Sequence, residues 1–220
     1  MTKTETYDAD YYERGLETGK SCYQNYRWIP ELTIPMAMTM IDFLGIERGA
    51  TVLDFGCSKG FLVKALRLLG RHAYGVDISR YAIDNVDPAV KQYCFLKTSA
   101  FLKGNGFITD FDYCIAKDVF EHIPESELKP VLDWIDAKVM FAIIPLGSTE
   151  TGFIAPANNM DVTHVTCHDV VWWGAMFKKA GWAVADFRYQ VSGIKDSYYT
   201  KHPEAHGFFT LRRNYETIST

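Results

Sequence analysis

A chain of 220 residues is long enough to bury a real core and short enough to form one domain of ordinary size. Its 48% apolar and 23% charged residues are the balance of a soluble globular protein. A formal net charge of −4 argues against a grip on nucleic acid, which takes clustered lysine and arginine, so no nucleic-acid partner is expected.

Residues 1–30 are rich in tyrosine and polar groups and show little periodicity. Pro35 lies at the start of an apolar stretch, Met36 to Leu44, that predicts a helix ending near Gly45. Strands and helices then alternate. Thr51–Phe55 is a short apolar run broken by Gly56, the pattern of a buried strand. Leu62, Ala65, Leu66 and Leu69 share one face of a helix over Phe61–Leu69, stopped by Gly70. Ala73–Val76 is a second strand ending at Asp77, and Ser79 is placed to cap the next helix. Tyr93–Leu96 and Tyr113–Ala116 are the third and fourth strands. Leu128, Val131, Leu132 and Ile135 recur at helical spacing, and Val139–Ile144 is a fifth strand ending at Pro145. Leu146 to Cys167 is long for a connection and has the length of a lid or binding loop. Asp169 to Ala180 is a helix closed by Gly181, and Trp182–Phe187 and Gly207–Leu211 are closing strands. The order predicts the α/β class: a Rossmann-like, doubly wound, mostly parallel seven-stranded sheet with helices on both faces. Ligands of such sheets bind beyond the carboxyl ends of the strands.

Five cysteines, Cys22, Cys57, Cys94, Cys114 and Cys167, make an odd number with no CxxC, which offers neither a disulfide framework nor a zinc knuckle. They read as mostly buried thiols in a reducing compartment. The polar, acidic start MTKTETYDADYYERG is unlike a signal peptide, and no apolar run reaches the length of a bilayer span. The expectation is a cytoplasmic protein with no membrane partner, monomeric or homodimeric.

The central motif is VLDFGCSKG, residues 52–60. A strand runs into Gly56, a tight turn follows, and a helix starts near Gly60. Glycine lets a backbone approach a ligand closely, and the helix start offers unpaired N–H groups. Asp77, at the end of the second strand, is placed to accept hydrogen bonds from ribose hydroxyls. A dinucleotide and S-adenosylmethionine both fit this much. The frame Gly56-Cys57-Ser58-Lys59-Gly60-Phe61 lacks two glycines of the dinucleotide fingerprint GxGxxG. Asp54 would also repel a pyrophosphate, whereas it suits the cationic amino-acid end of S-adenosylmethionine.

At these residues the chain resembles the class I S-adenosylmethionine-dependent methyltransferases of small-molecule type. Their first motif is matched by Asp54, Gly56 and Gly60, with Ser58 in place of the middle glycine. Their acidic residue after strand two is matched by Asp77, and Ile78 after it would pack on adenine. KDVFEHIPESEL, residues 117–128, resembles the segment that follows strand four in many members. The resemblance covers roughly Met36 to Gln190. It implies S-adenosyl-L-methionine as cofactor, held by Asp54, Gly56, Cys57, Ser58, Gly60, Asp77 and Ile78. Ser99 and Ala100 stand where the family places an acidic contact to the adenine amino group, and Lys117 and Asp118 follow strand four. The tyrosine-rich N-terminal segment would fold over the cofactor, with Tyr11 at the site and Arg27 pairing the methionine carboxylate or an anionic substrate. A surface helix with docked aromatics is the other reading of that segment. Residues 1–220 then form a single methyltransferase domain, 1–45 as lid and helix and 46–220 as cofactor-binding core and acceptor-side loops.

Methyl transfer needs an aligned nucleophile and, for a hydroxyl acceptor, a base. His164 is the preferred general base, with Asp161 to orient its ring. His122 is the alternative base, or it braces its helix. Asp118 and Glu121 share the loop of His122 and are equally ordinary as solvent-facing carboxylates. Asp161, His164 and His168 have metal-like spacing, but on an irregular loop no metal is assigned to them. His168 belongs with Thr166 and Asp169 at a helix start resembling a capping box. The acceptor is expected to be a small molecule carrying a hydroxyl, such as a sugar of polysaccharide biosynthesis. N- or C-methylation of another metabolite and a non-catalytic cofactor-binding subunit remain alternatives.

Overall fold

The structure, a computed structural model, describes residues 6–97 and 110–214. Among them is a seven-stranded sheet with the order β3-β2-β1-β4-β5-β9-β8. The strands are β1 (Thr51–Phe55), β2 (His72–Asp77), β3 (Cys94–Leu96), β4 (Phe111–Lys117), β5 (Ala137–Pro145), β8 (Trp182–Arg188) and β9 (His206–Arg213). β1 with β2, β2 with β3 and β4 with β5 pair in parallel. β9 runs antiparallel to both β5 and β8. This is the mostly parallel, Rossmann-like sheet with helices that the alternation predicts; the reversal of the last strand carried no signal of its own. No described helix is long and apolar enough to cross a membrane.

By its contacts the chain divides into two compact units, Met1–Ile108 with Met160–Thr163, and Thr109–Asn159 with His164–Thr220. In the first, the N-terminal segment holds two short helices, α1 (Ala9–Glu13) and α2 (Gly15–Thr18), which its aperiodic sequence conceals. Asp8 caps α1 by accepting the Tyr11 N–H at 3.0 Å. α3 spans Pro30–Leu44, so it starts at Pro30 rather than at Met36. A proline in the first turn lacks only an N–H that would be unpaired anyway, so Pro30 opens the helix. Pro35 lies inside it, which is why it misleads as a start signal. Gly45, at φ +67°, closes the helix in the left-handed conformation that glycine adopts without cost. α4 (Phe61–Leu68) buries Leu62, Ala65 and Leu66 of the stripe read in the sequence, together with Val63, while Leu69 lies half-buried just past its end. Val52, Leu53, Ala73 and Val76 are also buried in this unit, with Met40 from α3. α5 (Arg80–Asp84) is capped by Ser79, whose Oγ accepts the Ala82 N–H at 2.9 Å.

In the second unit β4 and β5 bring together Cys114, Ile115, Ala116, Phe141, Ala142 and Ile143, all fully buried. Strands covered on both faces need such unbroken apolar runs. α6 (Glu125–Trp134) contributes Leu128 and Leu132, and α7 (Val170–Lys179) contributes Trp173 and Phe177. Phe177 meets Phe209 of β9 at 5.3 Å between ring centres. The stretch after β5 is not one open loop. It contains a small hairpin, β6 (Gly147–Ser148) with β7 (Gly152–Phe153), and a 3-10 turn over Pro156–Met160. Asn159 ties the hairpin by accepting the Phe153 N–H at 2.9 Å and donating to its carbonyl at 3.0 Å. A further helix, α8 (Asp196–Lys201), lies between β8 and β9.

Candidate active site

In the first unit, β1 delivers the chain into the turn at residues 54–60. Gly56 N–H and Cys57 N–H both donate to the Val76 carbonyl, at 2.8 and 3.0 Å. The turn is therefore fastened to β2. Gly56, Ser58 and Gly60 all have positive φ, of 83°, 50° and 75°. Ser58 thus holds the left-handed conformation that glycine would hold more cheaply. Its N–H donates to Asp77 Oδ2 at 2.8 Å, and its Oγ is buried with no hydrogen bond among the described residues. Gly60 is needed for packing as well as conformation, because a Cβ there would lie 2.8 Å from the Cys94 sulfur. Cys57 is turned inward, so only its backbone is available to a ligand: a Cβ on Gly75 would meet its side chain at 2.6 Å.

Asp77 and Asp54 are both buried. Asp77 Oδ1 accepts the Ser79 N–H at 2.7 Å while Oδ2 holds Ser58. Burial raises the Asp77 pKa, and the backbone N–H groups of Ser79, Ser58 and Ile78 oppose that rise. With those three donors the carboxylate still has acceptor capacity for a ribose hydroxyl. Ile78 is partly buried beside it. An orphaned hydroxyl, a buried carboxylate and a glycine turn together fit the adenosyl and amino-acid parts of S-adenosylmethionine.

The N-terminal segment packs onto this turn. Tyr12 is 5% exposed and lies near Asp77; burial, then that carboxylate, push its phenol pKa well up. Tyr12 stacks on Tyr81 with 6.0 Å between ring centres. Tyr11, also buried, donates its hydroxyl to Asp161 Oδ2 at 2.9 Å. Asp161 Oδ1 in turn accepts from the Thr163 N–H and hydroxyl, at 2.9 and 2.5 Å. Lys59, on the glycine turn, anchors the segment. Lys59 pairs with Glu13, donates to the Tyr26 carbonyl at 2.9 Å, and lies over the rings of Tyr26 and Tyr81. Arg27 is exposed. Sequence reasoning overlooked Lys59, although a charged residue inside a glycine turn was the available signal. Ser99 and Ala100 lie outside the described residues.

In the second unit, β4 ends at Lys117 and the chain turns through Asp118, whose φ is 56°. Asp118 lies 2.6 Å from Lys117 Nζ and 2.9 Å from Lys195 Nζ. Burial alone would raise its carboxyl; Lys117, Lys195 and then His206 hold it well below the usual range. Lys117 and Asp118, expected at the cofactor, are thus engaged with each other and with Lys195. Lys195 also lies 3.1 Å from His206 Nε2, and burial, then the lysine, depress His206 to about 3. Neither Lys195 nor His206 had a predicted role, because nothing local marks a buried lysine in an SGIKD loop.

The 3-10 turn Phe120–His122 follows. The Val165 and Thr166 N–H groups donate to the Glu121 carbonyl at 2.9 and 3.0 Å, which brings His164 to this turn. The rings of His122 and His164 are 4.5 Å apart, and Phe153 stands 5.1 Å from His164. His164 Nδ1 lies 2.6 Å from the Asn158 carbonyl oxygen. The ring is therefore held by a backbone carbonyl, while Asp161, expected to orient it, is bonded to Tyr11 and Thr163. Glu121 faces His164 Nε2 at 3.9 Å and is completely buried, which excludes the solvent-facing one of its two readings. His168 pairs with Glu125 at 2.7 Å and stacks on Trp172. Asp169 alone caps α7, accepting the Trp172 N–H at 2.8 Å.

The family described as "Methyltransferase domain" matches residues 35–141. A ribosomal protein L11 methyltransferase from Photorhabdus laumondii is 44% identical over 52 residues, which are 23% of this chain and 17% of that protein. Among solved structures, magnesium protoporphyrin IX methyltransferase from Synechocystis, with S-adenosylhomocysteine bound, superposes with a TM-score of 0.61 at 14% identity. That superposition covers 96% of this chain and 97% of the other. The cyclase SpnF superposes with a TM-score of 0.60 at 13% identity, covering 96% and 94%. Such identities speak for the fold. Sheet order, glycine turn and family match agree: residues 35–141 match a methyltransferase domain, and the fold is that of the class I S-adenosylmethionine-dependent methyltransferases.

Proposed function

We propose that this chain methylates a small molecule at a hydroxyl oxygen, that of a sugar or related metabolite. S-adenosylmethionine supplies a methyl group on a sulfonium that leaves as a neutral thioether, so the protein has to align the acceptor oxygen and take its proton. The observation that carries this reading is the anchoring of His164. A carbonyl oxygen only accepts, so Nδ1 donates to Asn158 and the basic lone pair belongs to Nε2. That is the tautomer a general base needs. His122 lines the same acceptor side. Asp77 takes the ribose hydroxyls, Ile78 packs on adenine, and Asp54, Gly56 and Ser58 receive the methionine end. Residues 7–28 act as a lid, latched by Tyr11 on Asp161 and by Glu13 on Lys59.

The test is a screen for S-adenosylhomocysteine release against nucleotide sugars and other hydroxylated small molecules. An O-methylated product supports the proposal. A product methylated at nitrogen or carbon supports the alternative enzyme class. Cofactor binding without turnover on any acceptor supports a non-catalytic subunit.

A further inference from the structure

We propose that Glu121, His122 and His164 form a site for one divalent transition-metal ion. Each offers a ligand atom, and these atoms all lie within 4.8 Å of one another. All three belong to the second unit, on segments already joined by the Val165 and Thr166 hydrogen bonds to the Glu121 carbonyl.

The second, independent observation is the state of Glu121. Its side chain has no solvent exposure, and neither Oε1 nor Oε2 has a hydrogen-bond donor among the described residues. A buried carboxylate without donors or a counter-ion is costly, and such charges are normally paired or bound to metal. Burial, then the Asp118 carboxylate, push the Glu121 pKa well up, and Lys195 and Lys117, both in contact with Asp118, oppose that rise without donating a hydrogen bond to Glu121. The group that faces Glu121 is His164 Nε2 at 3.9 Å.

His164 has the arrangement of a metal ligand. Its Nδ1 is fixed on a backbone carbonyl, and Nε2 is the nitrogen that faces Glu121. Two imidazoles and a carboxylate suit zinc, manganese, iron or cobalt, whereas magnesium and calcium favour oxygen ligands. With bonds of about 2.0–2.2 Å, the ligand atoms must close by roughly 1 Å through side-chain rotation. Three protein ligands leave a position open for a hydroxyl oxygen, whose proton the ion would make easier to remove. This use rests on the proposed O-methylation, but the binding itself does not. In the metal-bound protein Nε2 is a ligand, the ion lowers the pKa of the bound hydroxyl, and its proton leaves to solvent water.

The experiment is equilibrium dialysis of the chelator-stripped full chain against zinc alone, manganese alone and magnesium alone, with bound metal counted by mass spectrometry. The proposal expects one zinc per chain and no competition from magnesium. Glu121→Gln, His122→Ala and His164→Ala should each weaken zinc binding by more than the roughly 10- to 100-fold that loss of an outer-shell partner costs. His168→Ala should bind as wild type. Titration of S-adenosylhomocysteine into each variant reports whether it is folded. Should the variants misfold, cobalt bound to the wild type still decides: visible bands of a four- or five-coordinate ion support the site, and their absence overturns it. Substoichiometric zinc, or zinc retained by Glu121→Gln and His164→Ala, also overturns it. Wild type that binds S-adenosylhomocysteine but no metal sinks this site alone. Wild type that binds metal but no S-adenosylhomocysteine sinks the methyltransferase reading alone.

Discussion

The glycine turn and the histidine loops are built in opposite ways. At residues 54–60 most of the work is done by backbone: three positive φ angles and N–H groups fastened to Val76 and Asp77. Around residues 117–122 side chains do the work: Lys117 and Lys195, Asp118 and Glu121, and His122, His164 and His206, in contacts between distant segments. A backbone site suits a cofactor that is the same in every relative, whereas a side-chain site can be altered residue by residue for different acceptors. The two should therefore fail differently when mutated.

The largest effect is expected at the side-chain site. His164→Ala should lower turnover by about 10²- to 10⁴-fold, the usual cost of removing a general base. Its S-adenosylmethionine affinity should stay at the wild-type value. If His122→Ala is the variant that loses turnover, the proton goes to the other ring. Next comes the backbone site. Asp77→Ala should weaken S-adenosylmethionine binding by about 1.5–3 kcal/mol, the scale of a hydrogen bond to a charged group, as read by calorimetry. Unchanged affinity would move the ribose elsewhere.

A third prediction uses pH. His206 is depressed to about 3, first by burial and then by Lys195, against an ordinary value near 6.5. Below about pH 6.5 the unfolded chain binds a proton that the folded chain refuses. The stability from keeping His206 neutral is therefore complete above that pH and is lost as pH falls towards 3, by up to about 1.4 kcal/mol per unit. Denaturant unfolding from pH 7 to 4 should show this slope in the wild type and a flatter one in His206→Asn. Equal slopes would remove His206 from the account.

Two smaller effects concern the first unit. Ser58→Gly should stabilise the fold by up to about 1 kcal/mol, because relief of the left-handed strain outweighs the added chain entropy. A fall in melting temperature would show that Ser58 has an interaction worth more than the strain. Lys59→Met should speed protease cleavage within residues 7–28, and S-adenosylhomocysteine should slow that cleavage in the wild type. Equal cleavage with and without ligand leaves the lid without support.

The contrast also explains what could be read from the sequence. Thr51–Phe55 is the first strand to the residue, and Ser79 is the cap expected. Apolar runs, a glycine turn and a capping serine are local signals. The N-terminal helices were hidden because their stability comes from a tyrosine cluster packed on Lys59 and Tyr81, not from a stripe of their own. Glu121 could be read equally as a pocket residue or a surface acid, because nothing nearby in sequence reveals that Val165 and Thr166 cover its backbone. The partner of Asp161 is Tyr11, 150 residues away, and no spacing rule reaches that far.

The central claim is a division of labour, cofactor on the glycine turn and acceptor chemistry on the histidine loops. Its most direct test is one crossed measurement: S-adenosylmethionine affinity and single-turnover rate at saturating cofactor, for both Asp77→Ala and His164→Ala. The account predicts that Asp77→Ala weakens affinity about 10-fold or more with little change in the saturated rate. It predicts that His164→Ala lowers the rate at least about 10²-fold with affinity unchanged. Loss of affinity in His164→Ala, or wild-type affinity in Asp77→Ala, would contradict it.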